Sequence, residues 1–489
     1  MPHLEEIDLT AKARSVMVDL GFEPDFSSAI AQQLATFADV PSKAPSSEIA
    51  DLRHLLWSSI DNAESRDLDQ VEYAEQLNDR GIRLLVAIAD VDSKVIPESA
   101  IDEHARANTT SVYTGVATFS MLPEKLSTDL TSLNQGEERL AIVTEMIVSP
   151  DGEVHFVGIK QALVHNQAKL TYEEVGDWLE HRAARPACCE KVQGLESQLS
   201  LQFEAATRLE KFRKAAGALT FSTVEPKIIK RDGKIVDLAI SRHNAARDII
   251  ESFMLATNIS LANFLKQKNC PFIERVVREP RRWDRIREIA AGFGVTLPEI
   301  PNPKVLSEFL ATRQKADPLH YPDLSLTIVK LLGPGEYALE KAGGNEQGHF
   351  GLAVNDYTHS TAPNRRFADL VIQRLVKALL ASAPSPYSEQ QLGEIAEHCT
   401  ERETAARKVE RRMRKVIAAS SLQHRIGERF DGVVTGSNEK GVYVRLLKWP
   451  AEGRLVRGER GVDVGDRIAV KLLRVDVNQG FIDFERVSG

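Results

Sequence analysis

Three carboxylates, Asp61, Asp67 and Asp69, fall within nine residues shortly after the apolar run Leu55-Leu56-Trp57. Acids this close repel one another unless a cation lies between them, and hard carboxylate oxygens suit Mg²⁺. In extended chain Asp67 and Asp69 project to one side while Leu68 turns to the other. The intervening Asn62-Ala63-Glu64-Ser65 is small and polar enough to turn, so all three acids can converge from one loop. A calcium EF-hand is excluded, because its glycine and distal glutamate are missing. A bare acidic loop is ordinarily solvated surface, but the apolar Ile60 and Leu68 argue for a packed loop here. The next position, Gln70, carries an amide where a fourth acid would extend the series.

A second polar constellation runs from Tyr357 to Leu370 and places Arg365 and Arg366 where a loop enters a helix. A helix N-terminus with arginine suits phosphate oxygens. The alternative is an internal ion pair made by either arginine with Asp369.

The elements that must position these groups read as follows. Residues 5 to about 40 suggest two or three short helices, with Gly21 as a stop, and Pro41-Ser42-Lys43-Ala44-Pro45-Ser46-Ser47 is a linker by composition. From about 50 to 165 the pattern is β-rich, with alternating stretches at 82–91, 139–148 and 153–162; 171–216 reads as helical. A hairpin is expected around Arg231-Asp232-Gly233-Lys234, then a long, nearly all-round apolar helix over 244–268. Further helices are expected at 281–294, 304–315 and 366–382, and a highly charged one from Glu401 to Arg425. The last 63 residues change to five short strands with glycine-containing turns, which fits a small OB-type barrel. There Phe430 and Tyr443, with Arg445 and Lys448, could form a stacking and charge platform for single strands, or be core.

Composition bounds the class. At 489 residues several domains are expected. No apolar run approaches a membrane span, and the N-terminus lacks signal-peptide character. The four cysteines have no metal spacing and read as reduced thiols of a cytoplasmic protein. Net charge is −8, yet the segment from Glu401 onward carries +6 and the remainder −14. An acidic body with a basic tail suits metal binding in one region and polyanion capture in another.

Together these segments resemble the ribonuclease II family with its RNB catalytic domain. The motif I-D-x-x-x-x-x-D-x-D-D is matched from Ile60 to Asp69, and Y-T-H-x-T-S-P-x-R-R-Y-x-D-L from Tyr357 to Leu370, with Ala362 and Phe367 as changes. Thr110-Ser111-Val112-Tyr113 with Met121-Leu122-Pro123, Gly217 to Phe221, and Ile249 to Met254 resemble three further family segments in the same order. The tail resembles an S1-type RNA-binding domain. The resemblance implies a processive 3′-to-5′ hydrolytic exoribonuclease that degrades single-stranded RNA, and structured RNA with 3′ overhangs, to nucleoside 5′-monophosphates. It implies one or two Mg²⁺ ions held by Asp61, Asp67 and Asp69, with Arg365 on the scissile phosphate. Tyr113 and Phe221 would stack on bases and Glu251 would contact the terminal ribose, although Ser252 replaces one of the family's paired acids. His359, Arg366, Phe430 and Tyr443 complete the RNA-contacting set.

Two departures bear on function. Gln70 replaces a family aspartate, leaving either an active enzyme with a neutral ligand or an inactive RNA-binding relative. A phosphate-dependent exonuclease is disfavoured, because no anion-binding loop is apparent beside the acids. Only about 48 residues precede the catalytic pattern, where family members commonly carry two OB domains. A more open RNA entrance follows as an expectation, with digestion further into a paired region. The fold expected is multidomain α+β: a helical helix-turn-helix-like module and linker (1–48), a mixed RNB domain with a β-barrel-like core (49–385), a charged helical connector (386–426) and an S1-type OB barrel (427–489). A monomer without an obligate protein partner or membrane association is expected.

Overall fold

The computed structural model describes residues 7–37, 49–221, 225–231, 234–241, 243–318, 320–344, 348–438, 441–449 and 451–487. The linker at 41–47 and the hairpin tip at 232–233 lie outside them. Two N-terminal helices, Leu9–Asp19 and Ser28–Thr36, are capped by the Asp8 and Ser27 side chains. Gly21 follows the first with φ +80°, the left-handed conformation that ends the helix at low cost.

The central region is built on strands Trp57–Asp61, Gln70–Gln76, Ile82–Ala89, Glu138–Val148 and Val154–Thr171. The last strand is long enough to pair antiparallel with Glu138–Val148 and, further on, parallel with Trp57–Asp61, so the circuit of five strands returns on itself. The barrel-like core read from the sequence is therefore present. Strand Ile82–Ala89 reads as alternating, yet it is buried on both faces. Leu85, Ala87 and Ala89 enter one core cluster, while Ile82, Leu84, Val86 and Ile88 enter another. Helix Phe367–Leu380 covers the first cluster, and helices Leu195–Ala216 and Ala245–Gln267 cover the second. A strand sandwiched between helices needs apolar side chains on both sides.

Helix Ala100–Asn108 interrupts the β-rich stretch, and helix Tyr321–Leu332 was not legible in the sequence. Strands Glu225–Arg231 and Lys234–Ser241 form the expected hairpin.

The charged segment is one helix, Glu389–Leu422, started by a capping box of Ser388 and Gln391. Its first half buries Leu392, Ile395 and Cys399 against the central region. Its second half buries Val409, Met413 and Val416 against the N-terminal helix and the C-terminal barrel. The connecting helix is thus a packed strut along its length. The barrel closes in the order Arg429–Asn438, Gly441–Leu446, Glu452–Arg457, Phe481–Arg486, Arg467–Asp476. Gly480 has φ +69°, and a Cβ there would stand 2.8 Å from the Lys415 Cβ, so the last hairpin can press closely onto the strut. Among the described residues no helix is long and apolar enough to cross a membrane.

Candidate active site

The acidic loop is held from below. Leu68 is 1% exposed. Its amide donates to Ser132 Oγ at 3.0 Å, and Ser132 Oγ in turn donates to the Arg66 carbonyl at 2.8 Å. The Leu133 amide donates to the Leu68 carbonyl at 2.9 Å, and the Lys169 ammonium caps the Ser65 carbonyl. With Leu68 anchored, Asp67 and Asp69 reach the rim and floor of a cavity of about 250 Å³ that Asp61 and Gln70 also line.

Each carboxylate has a different environment. Asp69 is buried; its Oδ1 accepts the Asn364 backbone N–H at 3.1 Å and its Oδ2 faces Arg365 Nε at 3.4 Å. Burial outweighs Arg365 and pushes the Asp69 carboxyl up to about 7. Burial also raises Asp61, against hydrogen bonds from Ser65 Oγ at 2.8 Å and the Asn62 amide at 2.7 Å. Asp67 accepts from the Tyr113 hydroxyl at 3.3 Å. A buried carboxyl raised by desolvation beside two further acids is a donor set short of positive charge, and a divalent cation fits it.

The Tyr357–Leu370 segment completes the wall. Its two arginines part company: Arg365 lines the cavity, while Arg366 Nη2 donates to Asp369 Oδ1 at 2.6 Å. The Thr131 hydroxyl fixes Asn364 by donating to its Oδ1 at 2.6 Å. Two cavity residues had no signal in the sequence: Tyr172, at the start of helix Tyr172–Leu179, and Arg247, on helix Ala245–Gln267.

This constellation has recognisable relatives. Residues 49–382 match the RNB domain family. The chain belongs to that family. Residues 428–487 match the RNase II-type exonuclease C-terminal S1 domain. Ribonuclease R 1 of Lactococcus lactis is 31% identical, covering 91% of this chain and 57% of its own length. Ribonuclease R of Escherichia coli is 30% identical, covering 94% of this chain and 60% of its own length. The chain thus spans under two thirds of these curated relatives. The solved structure of Mycoplasma genitalium RNase R with ribose-methylated single-stranded RNA superposes with a TM-score of 0.88. It is 23% identical and covers 98% of this chain and 78% of the other, and establishes the fold.

Other RNB-motif residues lie outside the cavity lining. His359 pairs its Nδ1 with the Tyr337 hydroxyl at 2.9 Å, and burial, aided by Arg366 and Arg275, pushes its imidazole far below the usual range. Phe221 is partly buried against the cluster of Trp283, Leu306 and Phe309. Glu251 is exposed on helix Ala245–Gln267 and groups with His243 and Asp248, the nearest ligand atoms all within 4.8 Å. Its neighbours Ile250 and Met254 line the cavity instead. In the S1-type barrel Phe430 is 9% exposed, in the core, with the Arg425 guanidinium 4.8 Å above its ring. Along its strand Phe430 is buried and Asp431 exposed, so alternation puts the ring on the inner face with the barrel cluster. The platform expectation for Phe430 is therefore replaced by a packing role, while Tyr443 is half-buried on the opposite side of its strand from the buried Val442 and Val444. Arg445 is engaged by Asp323 at 2.9 Å.

Proposed function

We propose that this RNB chain is a Mg²⁺-dependent, processive 3′-to-5′ exoribonuclease that hydrolyses single-stranded RNA to nucleoside 5′-monophosphates. The observation that carries this reading is the meeting of Asp61, Asp67 and Asp69 with Arg365 in one cavity. Carboxylates repel a phosphate, so binding alone has no use for three of them at the mouth of an RNA site. The named relatives are ribonucleases R, which supports the substrate class.

Asp61, Asp67 and Asp69 would hold the metal. When bound, Mg²⁺ supplies Lewis-acid chemistry, activating water and neutralising charge on phosphorus oxygens. Arg365 presents a fixed fork of donors to the same phosphate, where lysine offers only a point charge. The Asn364 backbone N–H keeps Asp69 aimed inward. Tyr113 is 42% exposed and tethered to Asp67 through its hydroxyl, which leaves its ring free to stack on a terminal base.

Incubation with Mg²⁺ and 3′-labelled single-stranded RNA tests the reading. Labelled nucleoside 5′-monophosphate should appear first, and Asp69→Asn should abolish it. The second reading, an RNA-holding protein without catalysis, is motivated by Gln70. It is supported if RNA binds but no monophosphate is released by either protein.

A further inference from the structure

The strut grips the C-terminal barrel at its last hairpin, where Gly480 lies against Lys415. Strand Gly441–Leu446 is not part of that hairpin; it pairs with Arg429–Asn438 and Glu452–Arg457. Its Val442, Val444 and Leu446 enter the barrel cluster, which turns Tyr443 and Arg445 to the other side. There Arg445 bypasses its cross-strand neighbour Glu452, which accepts from the Thr435 hydroxyl at 2.9 Å. Instead Arg445 reaches off the barrel. Its Nη2 lies 2.9 Å from Asp323 Oδ1, in the first turn of helix Tyr321–Leu332.

That helix belongs to a separate helical unit built around Trp283, Phe309 and Tyr321, whose apolar cluster shares no residue with the barrel's. Among the described residues no other ion pair joins the two. The Asp323 side is fixed. Tyr321, 3% exposed, donates its hydroxyl to the Thr220 carbonyl at 2.6 Å, and Ile328 and Leu332 are buried in the same unit. The pair itself is open, with Arg445 29% and Asp323 40% exposed, so solvent and anions reach it. An exposed pair of this kind contributes little to stability. Carboxylate and phosphate oxygens both match the guanidinium fork, so they compete for it.

We propose that Asp323 is an autoinhibitory latch on the barrel. It occupies Arg445 in the free protein, and an RNA phosphate displaces it before Arg445 joins Tyr443 in holding a single strand. The proposal rests on RNA being the substrate, as the nuclease reading has it, and assigns a residue that weakens capture of that RNA. Because one exposed contact is exchanged, the latch tunes affinity and does not abolish binding.

Fluorescence anisotropy with an end-labelled single-stranded RNA tests this, in EDTA and at low ionic strength so that binding is read without cleavage. Asp323→Asn should bind about two- to fivefold more tightly than the unaltered protein, with the gain shrinking as salt is raised. Arg445→Ala should bind more weakly, and adding Asp323→Asn to it should change nothing further, since the carboxylate acts through that guanidinium. A merely structural contact would give no gain. Unchanged or weaker binding by Asp323→Asn overturns the proposal, as does undiminished binding by Arg445→Ala. A gain that persists without Arg445 overturns it too, because Asp323 would then simply repel RNA. The nuclease reading falls separately, if the unaltered protein binds RNA but releases no monophosphate with Mg²⁺. Failure of the unaltered protein to bind RNA overturns both.

Discussion

Arg365 Nε stands 3.4 Å from Asp69 Oδ2, with the arginine side chain 45% exposed and the aspartate 3%. This is a long, open pair. Its neighbour in sequence makes the opposite kind: Arg366 Nη2 lies 2.6 Å from an Asp369 that is fully buried. Adjacent arginines thus have separate roles, one available to an incoming phosphate and one committed to the fold.

Arg365→Lys should therefore leave folding intact and lower kcat by about 10²-fold, because the fork that matches a phosphate is lost. Single-turnover cleavage of labelled RNA measures it. A melting temperature within a few degrees of the unaltered protein separates this from misfolding.

Asp369→Asn should behave differently. It strands a buried guanidinium and disturbs the Ala362 amide, which donates to Asp369 Oδ1 at 2.8 Å. Breaking such a pair costs about 3–5 kcal/mol. Denaturant unfolding should report the loss. Any activity remaining per folded molecule should exceed that of Arg365→Lys.

The acids, Arg365 and the C-terminal barrel were legible in the sequence because each has a local signature: spacing within one loop, a polar loop entering a helix, or strand alternation between glycine turns. Arg247, Tyr172 and Ser132 had none. Arg247 sits within a helix whose apolar run signals only burial. Ser132 acts through a hydroxyl on a backbone amide 64 residues away in sequence. Phe430 shows the limit of reading aromatics: barrel register decides between core and surface, and a one-residue shift reverses the answer.

The Ser132 anchor makes its own prediction. Ser132→Ala leaves the buried Leu68 amide without its acceptor, at about 1–3 kcal/mol. Asp67 and Asp69 flank that amide, so kcat should fall further than KM rises. Equal activity with reduced stability would mean the loop holds its shape unaided.

In the barrel, Tyr443→Ala should weaken RNA binding while Phe430→Ala should mainly destabilise the domain. Loss of a stacked base contact is worth about 1–3 kcal/mol, and truncating a core phenylalanine about 3–5 kcal/mol. Fluorescence anisotropy with single-stranded RNA and thermal melting, run on both variants, distinguish them.

Stability should also fall with rising pH through Glu274. This residue, on strand Phe272–Val276, is 1% exposed, and neither of its carboxylate oxygens has a hydrogen-bond partner among the described residues. Burial, reinforced by Glu340 and Asp356, pushes it from 4.5 up to about 8. Between those two values the folded protein holds a proton that the unfolded chain has released. Stability therefore declines across that window, and the penalty is complete above about 8. Glu274→Gln, which mimics the protonated acid, should match the unaltered protein near the lower end of the window. Above its upper end the variant should be more stable by roughly 2–4 kcal/mol. Urea unfolding at the two pH values reads the difference directly, and parallel behaviour of the two proteins would assign the pH dependence to other groups.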